Sequence, residues 1–219
     1  AKYKSGDKSL EKEINLLKKL KQTLENNKLA KSLELDTEED LIIRNFNLLT
    51  YKPTLYIANV DTNDVNTPEK NKHFIKLQEY LSKNSTDKVV AISVSIENEI
   101  SLLSEEDKKT FLKDLGVSQS GLDKVIKATY DLLGLRTFFT FGKKETKAWT
   151  FKNGMTAPQC AGIIHTDFER GFIRAEIYNY QDLLNLKSEV AVKEKGLMHT
   201  EGKDYKMKDG DVCLFRFNV

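Results

Sequence analysis

The sequence has few cysteines and lacks both a large net charge and a long apolar run. Cys160 and Cys213 are the only two cysteines and lie far apart, which predicts a reduced, cytosolic setting without a disulfide. Thirty-five basic residues nearly cancel 33 acidic residues, leaving a net charge of +2, so strong nonspecific nucleic-acid binding is not implied. No apolar run is long enough to span a bilayer. The 219 residues suffice for one large or two small domains.

Local patterns typical of metal centres and hydrolase active sites are also missing from the sequence. His73, His165 and His199 lack metal-ligand spacing with either cysteine, so no metal site is predicted. There is no nucleophile elbow and no local Ser/His/Asp pattern. His165 and Asp167 flank Thr166 and permit acid–base chemistry, although a structural role is commoner for such a pair. No catalytic residue is therefore assigned.

The start of the chain has the pattern of two amphipathic helices. Apolar residues spaced by three and four in residues 9–24 predict the first helix, with the stripe Leu10, Ile14, Leu17, Leu20 and Leu24. The narrow stripe suits a coiled-coil or hairpin arm, and an ordinary surface helix fits equally well. The second helix is predicted to begin at Asp36 or Thr37 and to end before Pro53. Its predicted buried residues are Leu41, Ile42, Phe46 and Leu49.

The middle of the chain alternates strand and helix signals. Apolar runs at residues 54–60 and 88–95 are typical of strands in a parallel sheet covered on both faces. Capping residues and apolar spacing predict helices at residues 66–83, 104–116 and 121–134. This order indicates an open α/β sheet. Ligands bind such sheets beyond the carboxyl ends of the strands, where the loops at residues 59–62 and 93–97 are expected.

The last part of the chain predicts a small α+β module of four short strands and one helix. The helix is predicted to start at Thr156, with Pro158 in its first turn. On the central strand, alternation places Arg174 and Glu176 on one face, and Ile173, Ala175 and Ile177 on the other. Four aromatic residues are interpreted as core, with a base-stacking surface as the alternative: Trp149, Phe151, Phe168 and Phe172.

Several long segments resemble the C-terminal TGS domain of the YchF subfamily of Obg-like P-loop ATPases. They are KAWTF, APQ, HTDFERGFIRAE, EGKDY and KDGDV. The resemblance implies a ubiquitin-like β-grasp fold for residues 135–219. It implies that residues 1–36 form part of a helical, coiled-coil-like arm and that 37–134 form the second half of a P-loop NTPase domain. The predicted fold is therefore α+β overall, with a partial α/β nucleotide-binding domain.

The phosphate-binding signature of that family does not occur in this sequence. No G-x-x-x-x-G-K-S/T pattern is present, so the phosphate cradle and the magnesium-binding hydroxyl are missing. In the family these lie before the helical arm, and Ala1 falls within the arm, so we expect the chain to represent the later part of such a protein. The resemblance implies that the intact parent hydrolyses ATP, or GTP, with Mg²⁺. The chain alone is predicted to be inactive and to need no cofactor.

The resemblance makes Asn59, Val60, Thr62, Ser93 and Val94 the candidate nucleotide-binding residues. The Asn59 amide can donate to a purine and tie the two loops together; the residues alone favour an asparagine that ends a strand and caps a turn. The resemblance implies that Val60 and Val94 contact the base or the sugar; the alternative is that both valines belong to the core. Thr62 stands where GTPases have aspartate and this subfamily glutamate. A hydroxyl cannot accept two parallel N–H bonds, so a preference for GTP is not predicted.

The resemblance also implies the ribosome or RNA as a partner. The candidate contact residues are Lys143, Lys144, Arg170 and Arg174, although neighbouring acidic residues fit an ordinary solvated surface. One rival function is a non-catalytic TGS-containing module that binds RNA or protein. A second is a TGS-bearing piece of another enzyme, such as threonyl-tRNA synthetase, which would not need the two loops at the strand ends. No membrane partner and no particular oligomeric state are predicted.

Overall fold

The computed structural model describes residues 10–84, 87–142 and 145–218. It divides into two compact units, Ala1–Leu122 and Asp123–Val219. The domain limits expected after residues 36 and 134 remain predictions. Among the described residues, no helix has the length and apolar character needed to cross a membrane.

The first unit begins with helices α1 (Glu11–Glu25) and α2 (Thr37–Arg44). Their core contains Leu16, Leu20, Ala30 and Ile43. The predicted stripe on α1 is partly wrong, because Leu17 and Leu24 are 42% and 40% exposed whereas Leu16 is fully buried. Leu16 and Leu20 are four residues apart, so one narrow side of α1 meets this core.

Helix α2 begins at the predicted cap, and its buried face matches the prediction in part. The Asp36 carboxylate accepts the N–H groups of Glu38 and Glu39 at 2.9 and 2.8 Å, and Glu39 accepts the Asp36 N–H at 3.2 Å. The predicted buried face is confirmed for Ile42 and Phe46, which pack against this core. It is wrong for Leu41 and Leu49, which are 62% and 83% exposed, and it missed the fully buried Ile43. The helix ends at Arg44, long before Pro53. The chain then turns, with a positive φ of 51° at Asn47, into a short 3-10 turn at Leu49–Tyr51.

Strands β1 (Leu55–Asn59) and β2 (Lys88–Ile92) form a parallel pair, connected by helix α3 (Lys72–Asn84). Leu55 pairs with Lys88 and Asn59 with Ile92, which confirms the predicted parallel sheet. The expected burial on both faces is wrong for the described residues. No β1 residue is buried, and Ile57 is 51% exposed.

Three helices follow β2: α4 (Val94–Ser101), α5 (Glu105–Asp114) and α6 (Gly121–Leu132). Helix α4 was not predicted, and it replaces both the end of the expected strand and most of the expected loop at residues 93–97. Ile96 and Ile100, four residues apart, pack with Val65 and Leu112, and this long-range packing favours a helix. Ser104 caps α5 as predicted, accepting the Asp107 N–H at 3.3 Å.

The second unit is built on a five-stranded sheet with the order β4-β3-β7-β5-β6. Its strands are β3 (Leu135–Phe141), β4 (Thr146–Lys152), β5 (Phe172–Asn179), β6 (His199–Glu201) and β7 (Asp211–Phe217). β3 and β7 pair in parallel, and the other neighbours are antiparallel. The sequence predicted four of these strands. With three residues, β6 is too short to show a clear alternation.

Helices cover both faces of this sheet to different extents. They are α7 (Ala157–Ile164), α8 (Thr166–Arg170), α9 (Tyr180–Leu186) and α10 (Glu189–Glu194), of which only α7 was predicted. Cys160 of α7 packs with Ile177 of β5 in the main core. The next strand residue, Tyr178, packs instead with Val192 of α10. Successive strand residues point to opposite faces, so α7 and α10 lie on opposite sides of the sheet.

The face assignment on β5 is confirmed in one part and wrong in another. Arg174 and Glu176 share a face, with 4.0 Å between their charged groups, and Arg174 is exposed as predicted. Ile173 is 54% exposed and does not join Ala175 and Ile177 in the core. The register shifts between Phe172 and Arg174, and such an irregularity breaks the two-residue alternation. The predicted aromatic core is confirmed: Phe151 and Phe172 are buried, with Trp149 and Phe168 packed against the same cluster.

Candidate nucleotide-base pocket

The ends of the two parallel strands are tied together by Asn59. The Val94 N–H, at the start of α4, donates to the Asn59 side-chain oxygen at 3.1 Å. The Val60 N–H donates to the Ile92 carbonyl at 2.8 Å. The Asn59 side chain therefore links the two loops, which fits both the predicted nucleotide contact and the alternative of an asparagine that ends a strand and caps a turn. Because its oxygen faces Val94, the amide nitrogen is the end of the side chain that can donate to a ligand.

An open pocket of about 270 Å³ lies beside this tie. Four of the five predicted residues line it together with two that were not predicted, the full set being Asn59, Val60, Asp61, Thr62, Ser93 and Ser95. Val94 is not part of the lining; it contributes its backbone N–H and leaves its side chain 54% exposed. Ser93 is almost completely buried, at 2% exposure.

The lining groups suit a neutral heterocycle better than a phosphate. They comprise one amide, three hydroxyls, one carboxylate and a valine, with no basic side chain. Amides and hydroxyls can donate to and accept from the edge of a base, whereas the negative Asp61 would repel a phosphate. Among the residues that the structure describes, no group of three His, Cys, Asp or Glu side chains could hold a metal. The site thus fits a base and does not fit a magnesium–phosphate group.

A second pocket, of about 320 Å³, is also lined by residues 59–61 and reaches α3. Asn71 caps that helix, since its oxygen accepts the N–H groups of His73 and Phe74 at 2.9 and 3.1 Å. Its nitrogen donates to Asp64 at 2.7 Å. The Asn71 role was missed, although an asparagine just before an amphipathic helix is a typical cap signal.

Glu97 holds α4 against the beginning of α6. Its two carboxylate oxygens accept the N–H groups of Gly121 at 2.7 Å and Leu122 at 3.1 Å. These N–H groups lie in the first turn of α6, where helical donors lack partners within the helix. Glu97 therefore satisfies the α6 terminus while it fixes the helix that follows Ser93. The sequence offered no local signal for this contact, because the partners are 24 and 25 residues away.

The predicted RNA-contact residues lie in the second unit, and two of them can be located. Arg170 is the last residue of α8, and Arg174 belongs to β5; both are exposed. Lys143 and Lys144 lie outside the described residues. The neighbouring His165 accepts the Asp167 N–H at 3.2 Å and so caps α8, which is a structural role.

Two cysteines and one aspartate are buried in the second unit. Both thiols are free, and burial raises the pKa of Cys160 to about 12 and that of Cys213 further still. Neither thiol is ionised near neutrality, so neither is an activated nucleophile. Asp211 accepts the Tyr205 hydroxyl at 3.0 Å and the Lys208 N–H at 2.8 Å. Burial raises its pKa despite these bonds, and the arrangement fixes the turn before β7.

Together these features define a mixed α/β protein with a polar pocket at the ends of parallel strands. Its structure is similar to that of the YchF GTPase of Schizosaccharomyces pombe, with a TM-score of 0.80 and 35% identity over 95% of this chain and 55% of that one. Residues 135–218 match the model of the C-terminal part of YchF GTPases, described as "Protein of unknown function (DUF933)".

Similarity to curated YchF proteins extends over nearly the whole chain. The Ribosome-binding ATPase YchF of Bacillus subtilis is 48% identical over 216 residues, which cover 99% of this chain and 59% of the relative. The protein of the same name from Escherichia coli O157:H7 is 44% identical over 218 residues, again 59% of its length. The chain is thus similar to YchF proteins over nearly its whole length, which confirms the resemblance. It spans about 59% of the length of these curated relatives.

Proposed function

We propose that this chain supplies the base-binding part of a nucleotide-dependent, ribosome-associated YchF ATPase. The observation that carries the proposal is the bond from the Val94 N–H to Asn59. It fixes which end of the amide accepts, and so leaves the nitrogen to donate to a purine ring nitrogen. Two relatives bear the name Ribosome-binding ATPase YchF, which supports both parts of the proposal.

In this arrangement the base lies in the pocket beside Asn59, Val60 and Thr62, with Ser93 closing its floor. The Val94 side chain is exposed next to the tie and provides apolar contact at the rim. The intact ATPase would use ATP, or GTP, together with Mg²⁺. The described residues bind the base and contribute no group to phosphate transfer.

The finer fold assignment belongs to the same proposal. We assign residues 135–219 to a β-grasp TGS domain, because α7 crosses one face of a five-stranded mixed sheet whose first and last long strands, β3 and β7, are parallel neighbours. The parallel pair β1–β2 with its helical connection supports residues 37–134 as half of a P-loop NTPase domain. Residues 1–36, which include α1, are assigned to a coiled-coil-like arm.

Backbone amide NMR with added ATP, GTP and adenosine tests the base pocket directly. We expect shifts for the amides of residues 59–62 and 93–95. Asn59→Asp keeps an oxygen for the Val94 N–H but removes the donor, so it should weaken these shifts as strongly as Asn59→Ala. Asn98→Ala, on the exposed side of α4, is the matched control. Unchanged shifts in Asn59→Asp would show that the amide does not contact the base.

The ribosome contact is assigned to the second unit, at Arg170 and Arg174. Exposed guanidinium groups bind phosphates through paired N–H donors. The experiment is co-sedimentation with ribosomes at low and moderate salt. Arg170→Ala/Arg174→Ala should bind less, whereas Lys193→Ala/Lys195→Ala removes the same charge elsewhere and should not. Equal loss in both variants would argue against the assignment. Binding that is indifferent to nucleotide would favour the alternative function, a non-catalytic RNA- or protein-binding module.

A further inference from the structure

One end of the sheet in the second unit is uncovered on the face opposite α7. Tyr178 and Val212 on that face are buried beneath α9 and α10. Further along the strands, Phe141 and Leu214 are 44% and 39% exposed. We call this end the open sheet face and define it as Phe141, Arg174, Glu176, Leu214 and Arg216. An aromatic ring and an aliphatic side chain are therefore accessible to a ligand on this face.

The strand register arranges these residues in two rows. Thr140 is the last β3 residue paired with β7, opposite Cys213, so the next residues along these parallel strands, Phe141 and Leu214, lie on the same face just beyond that pair. Leu214 in turn pairs with Glu176, and Arg216 pairs with Arg174. Paired residues of adjacent strands share a face. The apolar row and the arginine row are two residues apart along each strand, which is about 7 Å.

The arginine row carries more positive charge than its neighbours neutralise. The Glu176 carboxylate accepts hydrogen bonds from Nε and Nη2 of Arg216, at 3.4 and 3.2 Å. The Arg174 guanidinium lies 4.0 Å from the same carboxylate. Two guanidinium groups therefore share one carboxylate, with side-chain exposures of 51% for Arg216 and 54% for Arg174. Like charges directly opposite each other on a sheet are unfavourable. An anion placed between them would relieve that repulsion.

We propose that the open sheet face binds unpaired RNA. A flat aromatic ring beside an aliphatic side chain offers a stacking surface for one base. The two arginines, about 7 Å away, suit the phosphate of the same or the next nucleotide, which guanidinium groups bind in paired fashion. A duplex keeps its base faces stacked inside and cannot use Phe141. An acidic peptide would satisfy the arginines but has no planar group for the ring.

This inference rests on the proposed ribosome function and gives its RNA contact a chemical class. Both proposals include Arg174. The RNA-binding surface proposed here adds Phe141 and Arg216, which the sequence did not indicate. Because the net charge of the row is small, binding to a short oligonucleotide is expected to be weak and salt-dependent.

Fluorescence anisotropy with labelled oligouridylate, oligoadenylate, an RNA duplex and polyglutamate tests the proposal on the full chain. We expect both single strands to bind more tightly than the duplex. Arg174→Ala/Arg216→Ala should reduce the slope of log affinity against log salt by about 0.7, since the two arginines share one phosphate and each single-strand phosphate contact contributes about 0.7. Lys193→Ala/Lys195→Ala is the control of equal charge and should leave the slope unchanged.

Substitution of the aromatic ring separates stacking from charge. Phe141→Ala should lower single-strand affinity by about tenfold or more and leave the salt slope unchanged. Phe141→Leu keeps an apolar side chain but not the ring, and should lose nearly as much. Since Phe141 is 44% exposed, both variants should retain the unfolding transition of the unmodified chain. Retained affinity in these variants, equal duplex binding, or binding of polyglutamate alone would overturn the proposal.

Ribosome co-sedimentation of the same variants keeps the two proposals distinguishable. If the unmodified chain binds ribosomes and Phe141→Ala binds equally well, the open sheet face is the wrong surface while the proposed function stands. If the chain binds the single strands as expected but not ribosomes, the proposed function fails and the RNA site remains. Absence of binding to any RNA overturns the inference directly.

Discussion

Removal of the Glu97 carboxylate should loosen the start of α6 by a predictable amount. The carboxylate accepts two helix-terminal N–H groups, from Gly121 at 2.7 Å and Leu122 at 3.1 Å. A hydrogen bond to a charged group contributes about 1.5–3 kcal/mol, and loss of a helix cap typically costs about 1 kcal/mol. Glu97 is partly buried and Leu122 is exposed, so water can reach part of the freed helix terminus, although Gly121 is buried. We therefore expect Glu97→Ala to cost about 2 kcal/mol.

Glu97→Gln offers a graded version of the same perturbation. Its amide retains one oxygen acceptor, so one of the two bonds survives in neutral form and the expected cost is about 1 kcal/mol. Glu99→Ala is the matched control, because this glutamate lies on the same helix and its side chain is exposed. It should change the free energy of unfolding by less than about 0.5 kcal/mol.

Amide hydrogen exchange followed by NMR measures the effect where it arises. A loss of about 2 kcal/mol corresponds to roughly 30-fold faster exchange for the Gly121 and Leu122 amides. Urea unfolding followed by far-UV circular dichroism reports the global cost. The only tryptophan, Trp149, lies in the second unit, so its fluorescence should report an unchanged unfolding transition. Exchange rates in Glu97→Ala equal to those in Glu99→Ala would refute the reasoning.

Three further changes have defined outcomes. Thr62→Asp restores a carboxylate that can accept guanine N–H groups, and titration should show a shift towards GTP by about tenfold. Gly171→Ala places a Cβ against a backbone carbonyl and should lower the Trp149 unfolding midpoint, whereas Gly162→Ala meets a movable side chain and should not. Burial raises the pKa of Asp211 above its ordinary value of 3.8. The contribution of the protonated Asp211 to the free energy of unfolding is therefore fully present below pH 3.8 and is lost as the pH rises through the raised pKa. Asp211→Asn should flatten this pH dependence of stability in unfolding experiments.

Local hydrogen bonding made the starts of α2 and α7 predictable. Asp36 caps α2 through N–H groups two and three residues away. Gln159 similarly accepts the Thr156 N–H at 2.9 Å at the start of α7. These bonds join residues within one turn, so residue type and spacing suffice to predict them.

The base pocket could be predicted only in part. The positions of Asn59 and Thr62 followed from the end of an apolar strand and from the family resemblance. The partner of the Asn59 oxygen is 35 residues away, and Ser95 joins the lining only because α4 begins immediately after β2. The direction of the Ser95 side chain depends on the helical backbone of α4, and the apolar run at residues 88–95 had predicted a strand there instead.

The amino-acid sequence alone predicted the resemblance to YchF proteins, the starts of α2, α5 and α7, the parallel pair and four strands of the larger sheet, because each depends on residue type or short-range pattern. Tertiary structure decided which apolar residues are buried. Leu16 replaced Leu17 on α1, and Ile173 left the core at a register shift. It also brought Arg216 opposite Arg174, which are 42 positions apart in the chain. Such pairings depend on strand order and register, and these are fixed only when distant segments pack together.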